Sequence, residues 1–312
     1  MNLAPQHDPA TAPHDVSEHP TRTALVLGGG GSGGNAWLIG VIAGLHDSGL
    51  DVTDADLIIG TSAGSTAAAQ ITGATPSDLL AAILAAPAPR TGPAGSGSGP
   101  VPMRPTTNHL EATSAIIAAA DDAADMRRRM GAWALESAAT SDSSAQAQWR
   151  ATVAGRLPSQ SWPRRRMLIT AVDANTGEPV VLDRDSGLDL ADAVAASCSS
   201  VFAYAVGDRR YIDGGYRSNA ENADLAAGYE RVLVLSPFGG RSRTPVGWGT
   251  HLATQVDELR AHGSSVETIF PDSSSCSAFG DNMMDLSRRP PAARAGFEQG
   301  RSLAEQLTAF WR

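Results

Sequence analysis

The 312-residue chain carries a formal net charge of −9, and all 24 of its basic residues are arginine. That balance argues against nucleic acid as a partner and against simple attraction to anionic lipid, while the length allows a core that buries roughly 75% of the unfolded surface. Two cysteines, Cys198 and Cys276, make neither a disulfide framework nor a metal-ligand spacing, and no run reaches the ~18 apolar residues of a membrane span.

The first 22 residues are rich in Pro, His, Asp, Thr and Ala and lack an apolar segment. They are expected to form a disordered tail and not a signal peptide. A soluble, cytoplasmic protein follows, with residues 23–312 as one domain. Its first strand, Ala24 to Leu27, stops at six glycines and one serine, Gly28 to Gly34, before a helical pattern carrying Trp37, Ile39, Ile42 and Leu45. Such a turn leaves backbone N–H groups bare at a helix N-terminus and suits an anion, whether a phosphate or an oxyanion. A second unit follows the same plan. Leu57 to Ile59 runs into Gly60-Thr61-Ser62-Ala63-Gly64 and then a small-residue helix, the pattern of a nucleophile elbow, in which flanking glycines let the backbone bend and the serine project.

A third helix is expected near Pro76-Ser77-Asp78. The stretch 87–105 is rich in Pro, Gly and Ser and reads as a flexible loop, with a place in the chain that suits a gate. Residues 106–160 read as a helical insertion. Its Arg127-Arg128-Arg129 cluster is either solvated, with the insertion packed on the sheet, or part of a cap or lipid-contacting surface. Met167 to Val172 and Val180 to Leu182 are expected as a hairpin, and Asp189 to Ser197 as a short helix. A strand then ends at Arg210-Tyr211-Ile212-Asp213-Gly214-Gly215. Asp213 there is either a turn aspartate or a general base that two glycines leave approachable. Helices at Asn219 to Ala227, His251 to His262 and Ala292 to Trp311, and strands at Arg231 to Leu235 and Val266 to Phe270, complete an alternation that implies an α/β fold with a mostly parallel sheet covered on both faces.

The glycine turn also fits G-x-G-x-x-G, as Gly28, Gly30 and Gly33, so a nucleotide-binding protein without catalysis is one competing reading. It requires an acidic residue at the end of the second strand, but Asp51, Asp54 and Asp56 precede that strand. A Ser-Asp-His triad is a second competitor, since His251 and His262 follow Asp213.

Together GGGSGG at Gly29 to Gly34, GTSAG at Gly60 to Gly64 and DGG at Asp213 to Gly215 resemble the patatin-like phospholipase family of bacterial type. The resemblance covers about Thr23 to Ile71 and Met167 to Leu235. It implies a three-layer α/β/α sandwich and a Ser-Asp dyad with Ser62 as nucleophile and Asp213 as base. It also implies an oxyanion hole from the amides of Gly29, Gly30 and Gly31, with Gly34, Gly60, Gly64, Gly214 and Gly215 supporting the motifs. The implied activity is hydrolysis of lipid carboxylic esters through an acyl-enzyme, and an alcohol in place of water would make the chain an acyltransferase. No cofactor or metal is implied. The partners are a lipid or other acyl ester and, transiently, a membrane or micelle surface. Two departures stand out: Gly33 occupies a position where many members have Arg or Lys, and many members have Pro near Ser200.

Overall fold

The computed structural model describes residues 22–87 and 107–312. The expected tail, apart from Arg22, and the expected Pro/Gly-rich loop, apart from Pro87, lie outside the described residues. In chain order the elements are β1 (Thr23–Leu27), α1 (Gly31–Asp47), β2 (Leu57–Gly60), α2 (Ala63–Ile71), α3 (Pro76–Ala85), α4 (Thr107–Ala119), α5 (Ala123–Leu135), α6 (Ala138–Ser141), α7 (Ser143–Ala154), β3 (Arg166–Asp173), β4 (Pro179–Leu182), α8 (Leu190–Ser197), β5 (Tyr204–Val206), β6 (Arg209–Asp213), β7 (Arg231–Leu235), α9 (Leu252–Ala261), β8 (Ser265–Ile269), α10 (Ser273–Phe279) and α11 (Arg289–Trp311).

The strands form one sheet in the order β5-β6-β3-β2-β1-β7-β8, with β4 also paired to β3. From β3 to β8 every pairing is parallel. The β3–β4 hairpin and the β3–β6–β5 edge are antiparallel. Because side chains alternate along a strand, β1 splits its contacts between two cores. Leu25 and Leu27 join Ile58, Ile169 and Leu233 under α1, α2, α3, α8 and α11. Ala24 and Val26 join Ile59, Val232 and Val234 under α9 on the opposite face. That is a three-layer α/β/α sandwich. Each fully buried Leu or Ile contributes about 1.5–3 kcal/mol relative to exposure, so both faces of the central strands are strongly fixed.

The four helices of residues 107–154 divide between the faces. α4 and α5 place Ile117, Met126 and Met130 over Val172 of β3 and Ile212 of β6, whereas Val153 of α7 joins the α1 face. Arg127 is not a free surface cation: its guanidinium donates to the carbonyls of Gly177 (2.9 Å) and Arg217 (3.1 Å) and pins α5 to the sheet edge. Arg128 and Arg129 pair with Asp125 on the helix surface, where such pairs contribute little.

One local expectation fails for an identifiable reason, and two short elements are not legible in the sequence. Asn219 to Ala227 is not a helix but a loop followed by a single 3-10 turn, Ala223–Ala226. The Asn219 side-chain carbonyl accepts the N–H groups of Glu221 and Asn222, at 2.9 and 2.7 Å, and Asn222 takes a left-handed φ of 56°. An Asx turn thus competes with the helix. The short strand β5 and the helix α10 carry too little periodicity to be read in the sequence, and α10 is held by its Asp272 cap, which accepts the Ser275 N–H at 2.7 Å.

Candidate active site

Ser62 stands at the end of β2 as the N-cap residue of α2, with φ 51° and ψ −116°. A residue with a side chain pays strain of order 1–3 kcal/mol there, so the surroundings must impose it, and the glycines show how. A Cβ on Gly64 would lie 1.9 Å from the Leu27 carbonyl oxygen, and one on Gly60 would lie 2.6 Å from Ser65 Cα. The elbow therefore folds on itself only if Gly60 lacks a side chain, and closes onto β1 only if Gly64 does. The Ser62 N–H donates to Ser197 Oγ (2.9 Å) at the end of α8, and the Ser62 carbonyl accepts from Ser65 Oγ (2.7 Å). Cys198 Sγ approaches that carbonyl at 3.1 Å, and burial pushes its thiol up to about 11, so it stays protonated and donates.

Asp213 ends β6 on the turn Gly214–Tyr216, only 7% exposed. Burial raises its carboxyl to about 6, against opposing hydrogen bonds from the Gly215 N–H and the Ser62 hydroxyl. The Gly215 bond is 2.8 Å. A Cβ on Gly214 would fall 2.2 Å from the Thr170 carbonyl oxygen, so this turn, like the elbow, rests directly on backbone. The two turns are locked together from below: Thr61 Oγ1 meets Thr170 Oγ1 at 2.9 Å, and Asn222 Nδ2 donates to Thr61 Oγ1 and to the Gly214 carbonyl, both at 3.0 Å. Asn222, Thr170 and Ser197 carry no motif, and only the fold brings them to this place.

The glycine turn comes over the same point. A Cβ on Gly29 would sit 3.5 Å from Ser62 Cβ, and one on Gly30 would sit 2.5 Å from Pro237 Cβ. The Gly29 N–H donates to the Ala220 carbonyl at 2.8 Å and the Gly33 N–H to the Met283 carbonyl at 2.7 Å, while the Gly34 N–H closes onto Gly30. Among the described residues, the N–H groups of Gly30 and Gly31 have no acceptor. Ser62, Asp213, Gly29, Gly30 and Gly31 all line one cavity of ≈ 1840 Å³. Gly34, Gly60, Gly64 and Gly214 do not line it, whereas Gly215 is at its wall.

The competing residues fall elsewhere. Asp56 accepts the Thr23 N–H (2.8 Å), Asp51 the Thr53 N–H (2.8 Å), and Asp54 pairs with Arg165, so none faces the glycine turn. His251 bonds the Thr244 carbonyl and His262 the Glu258 carbonyl, and neither lines the cavity. His109 does line it, but burial and the nearby Arg243 lower its imidazole to about 4. The sequence gives no sign of Arg289, which reaches from α11 to the Ser32 carbonyl (3.1 Å) and Asn35 Oδ1 (3.0 Å), and which also lines the cavity.

The family description "Patatin-like phospholipase" matches residues 25–225, a range that runs from within β1 to beyond the Asp213 turn. The chain belongs to the patatin-like phospholipase family. Lipid acyl hydrolysis is accordingly its general class of activity. No curated protein matches the chain. Among solved structures it is similar to VipD from Legionella pneumophila (TM-score 0.42, 11% identity, 92% of this chain and 67% of that one). It is also similar to the type III effector protein ExoU (TM-score 0.33, 14% identity, 90% and 54%) and to the full-length SpcU–ExoU complex from Pseudomonas aeruginosa (TM-score 0.35, 17% identity, 90% and 53%). The patatin-like chain thus spans about half the length of the ExoU chains. TM-scores this low carry no weight in the assignment, which rests on the family match. No helix among the described residues is long and apolar enough to cross a membrane.

Proposed function

We propose that the chain is a serine acyl hydrolase that cleaves carboxylic esters of lipids with Ser62 as nucleophile and Asp213 as general base. The observation that carries this reading is that a strained serine at a helix N-terminus and a desolvated carboxylate line the same cavity. An aspartate in water is a poor base for an alcohol. Burial brings Asp213 to about 6, closer to the pH at which a base works best, and the N-terminus of α2 favours the developing alkoxide.

In the acylation step Asp213 takes the Ser62 proton as Oγ bonds to the ester carbonyl carbon and the carbonyl oxygen becomes an oxyanion. The Gly30 and Gly31 amides are the donors for that oxyanion, each strong donor contributing about 3 kcal/mol. Gly29 is not one of these donors, since its own N–H is held by the Ala220 carbonyl. Collapse of the intermediate expels the alcohol, which carries away the proton from Asp213. Water, activated by the same carboxylate, then releases the fatty acid and restores Ser62.

The test is hydrolysis of p-nitrophenyl butyrate and of a mixed-micelle phospholipid by wild type and Ser62→Ala. Release of free fatty acid that falls by roughly 10³-fold or more in the variant supports the reading. Equal rates in both proteins refute it.

A further inference from the structure

Helix α1 opens without a cap of its own. Its N-cap is Gly30, which has no side chain to accept the free N–H groups of the first turn. The acceptor comes instead from the far end of the chain: the Gly33 N–H donates to the Met283 carbonyl at 2.7 Å. Two further contacts come from the same segment. A Cβ on Gly31 would lie 2.5 Å from Met284 Sδ, and the Arg289 guanidinium donates to the Ser32 carbonyl (3.1 Å) and to Asn35 Oδ1 (3.0 Å). The peptide unit between Ser32 and Gly33 is thus gripped at both ends, its C=O by Arg289 and its N–H by Met283. Met283, Met284 and Arg289 all lie beyond residue 225, where the family match ends.

The packing of α11 on α1 fixes this segment in place. A Cβ on Gly40 or Gly44 of α1 would lie 2.2 Å from the Ala293 or Phe297 carbonyl oxygen, and one on Gly296 or Gly300 of α11 would lie 2.6 or 2.3 Å from that of Trp37 or Val41. The backbones therefore touch along both helices. Contacts ascend together, from Arg289 at Ser32 to Phe297 at Gly44, so the helices run parallel and their N-termini stand side by side. A cation there is opposed on two counts. Two helix N-termini present positive ends to it, and burial brings the guanidinium down to about 10. Both of its hydrogen bonds go to neutral oxygens of the first turns of α1.

We infer that Arg289 is a positioning residue for catalysis: with the Met283 carbonyl and Met284 it forms a strap that holds the glycine turn, so that the Gly30 and Gly31 amides keep the geometry the oxyanion needs. This rests on the serine hydrolase reading. Donors stabilise a tetrahedral intermediate strongly only when they are held in place beforehand. A slack strap leaves the apolar lining from Ile39, Leu79, Ile83 and Leu157 in place to bind an acyl chain, but takes stabilisation from the intermediate. The loss therefore falls on kcat and not on KM.

The experiment has two arms on the full chain, each with Arg289→Met, Arg289→Lys and Arg301→Met. Arg301, whose exposed side chain pairs with Asp47 farther along the same two helices, is the control. In the first arm kcat and KM for p-nitrophenyl butyrate are measured beside the inhibition constant of an alkyl trifluoromethyl ketone. Ser62 Oγ adds to the ketone carbon, its proton passes to Asp213, and the ketone oxygen becomes the oxyanion. Arg289→Met is expected to lower kcat at least about tenfold with KM within about twofold, and to weaken the ketone by the same factor, with partial recovery in Arg289→Lys. A loss of kcat that leaves the ketone unaffected, or an equal loss in Arg301→Met, overturns the inference. In the second arm amide hydrogen exchange is followed by mass spectrometry in the peptide from Gly28 to Ala36, where the Gly33 and Gly34 amides are hydrogen-bonded. Exchange at least about tenfold faster in Arg289→Met, and unchanged in Arg301→Met, supports the strap even if wild type cleaves no ester, an outcome that would sink only the hydrolase reading. The same exchange in wild type and Arg289→Met overturns it. Should Arg289→Met fail to fold, Met284→Ala, at a half-buried position, takes its place with the same expected changes in kcat and exchange.

Discussion

Gly64 and Leu27 touch backbone to backbone: a Cβ on Gly64 would lie 1.9 Å from the Leu27 carbonyl oxygen. The elbow that carries Ser62 is therefore pressed against β1, the strand that also delivers the glycine turn. Gly64→Ala must push α2 off β1, at a cost of about 3 kcal/mol or more, and should lower both the melting temperature and ester turnover. Gly247→Ala, which meets nothing within 4 Å, should change stability by less than about 0.5 kcal/mol. Equal melting temperatures for the two variants would show that the close contact is not a constraint.

The strain at Ser62 gives a second expectation. With φ at 51°, Ser62→Gly relieves a cost that Ser62→Ala retains. Both variants lack the nucleophile, yet Ser62→Gly should be the more stable by about 1 kcal/mol in denaturant unfolding. The opposite order would mean that the elbow is not strained.

Burial of Glu221 makes a pH-dependent claim on stability. Its carboxyl is only 1% exposed, accepts Ser236 Oγ at 2.6 Å, and is raised from 4.5 to about 7 by desolvation. A raised folded-state value contributes stability that is fully present below about pH 4.5 and is lost as pH rises through about 7. Glu221→Gln should therefore exceed wild type by about 2–3 kcal/mol at pH 8, with the difference vanishing near pH 4.5. Chemical unfolding at the two pH values checks this, and a constant difference would contradict it.

The same reasoning applies to the rate. Asp213 acts only when ionised, and burial holds it at about 6. The acidic limb of kcat/KM against pH should have its midpoint near 6 and not near 4.

Because His251 and His262 bond to backbone carbonyls away from the cavity, the double variant His251→Gln/His262→Gln should keep ester turnover within about twofold. A loss of three orders of magnitude would restore the triad.

The parts of this molecule that were legible in the sequence are those where local chemistry and fold agree. The run TALVL, the glycine turn and GTSAG each state their own backbone, and they appear as β1, the start of α1 and the elbow. The β3–β4 hairpin was equally plain, because Asn175-Thr176-Gly177 permits the left-handed φ of 75° that Gly177 adopts. What was illegible depends on distant partners. Asn219 has ordinary helical neighbours, and its Asx turn matters only because Asn222 must reach Thr61, 161 residues away. The Gly29 amide belongs to a bare turn in the sequence, but the fold gives it to Ala220. Arg289 lies in an Arg-Pro-Pro stretch that says only where a helix starts, and its place beside Ser32 comes from the packing of α11 on α1, where Gly40 meets the Ala293 carbonyl.

Covalent labelling tests the pairing of Ser62 with Asp213 most directly. Purified protein is treated with a fluorophosphonate and followed by intact mass and peptide mapping, beside Ser62→Ala and Asp213→Asn. The account predicts one adduct, on Ser62, absent in Ser62→Ala and formed at least about 10²-fold more slowly in Asp213→Asn. Labelling of Asp213→Asn at the wild-type rate, or a wild-type protein that gains no adduct on Ser62, would contradict it.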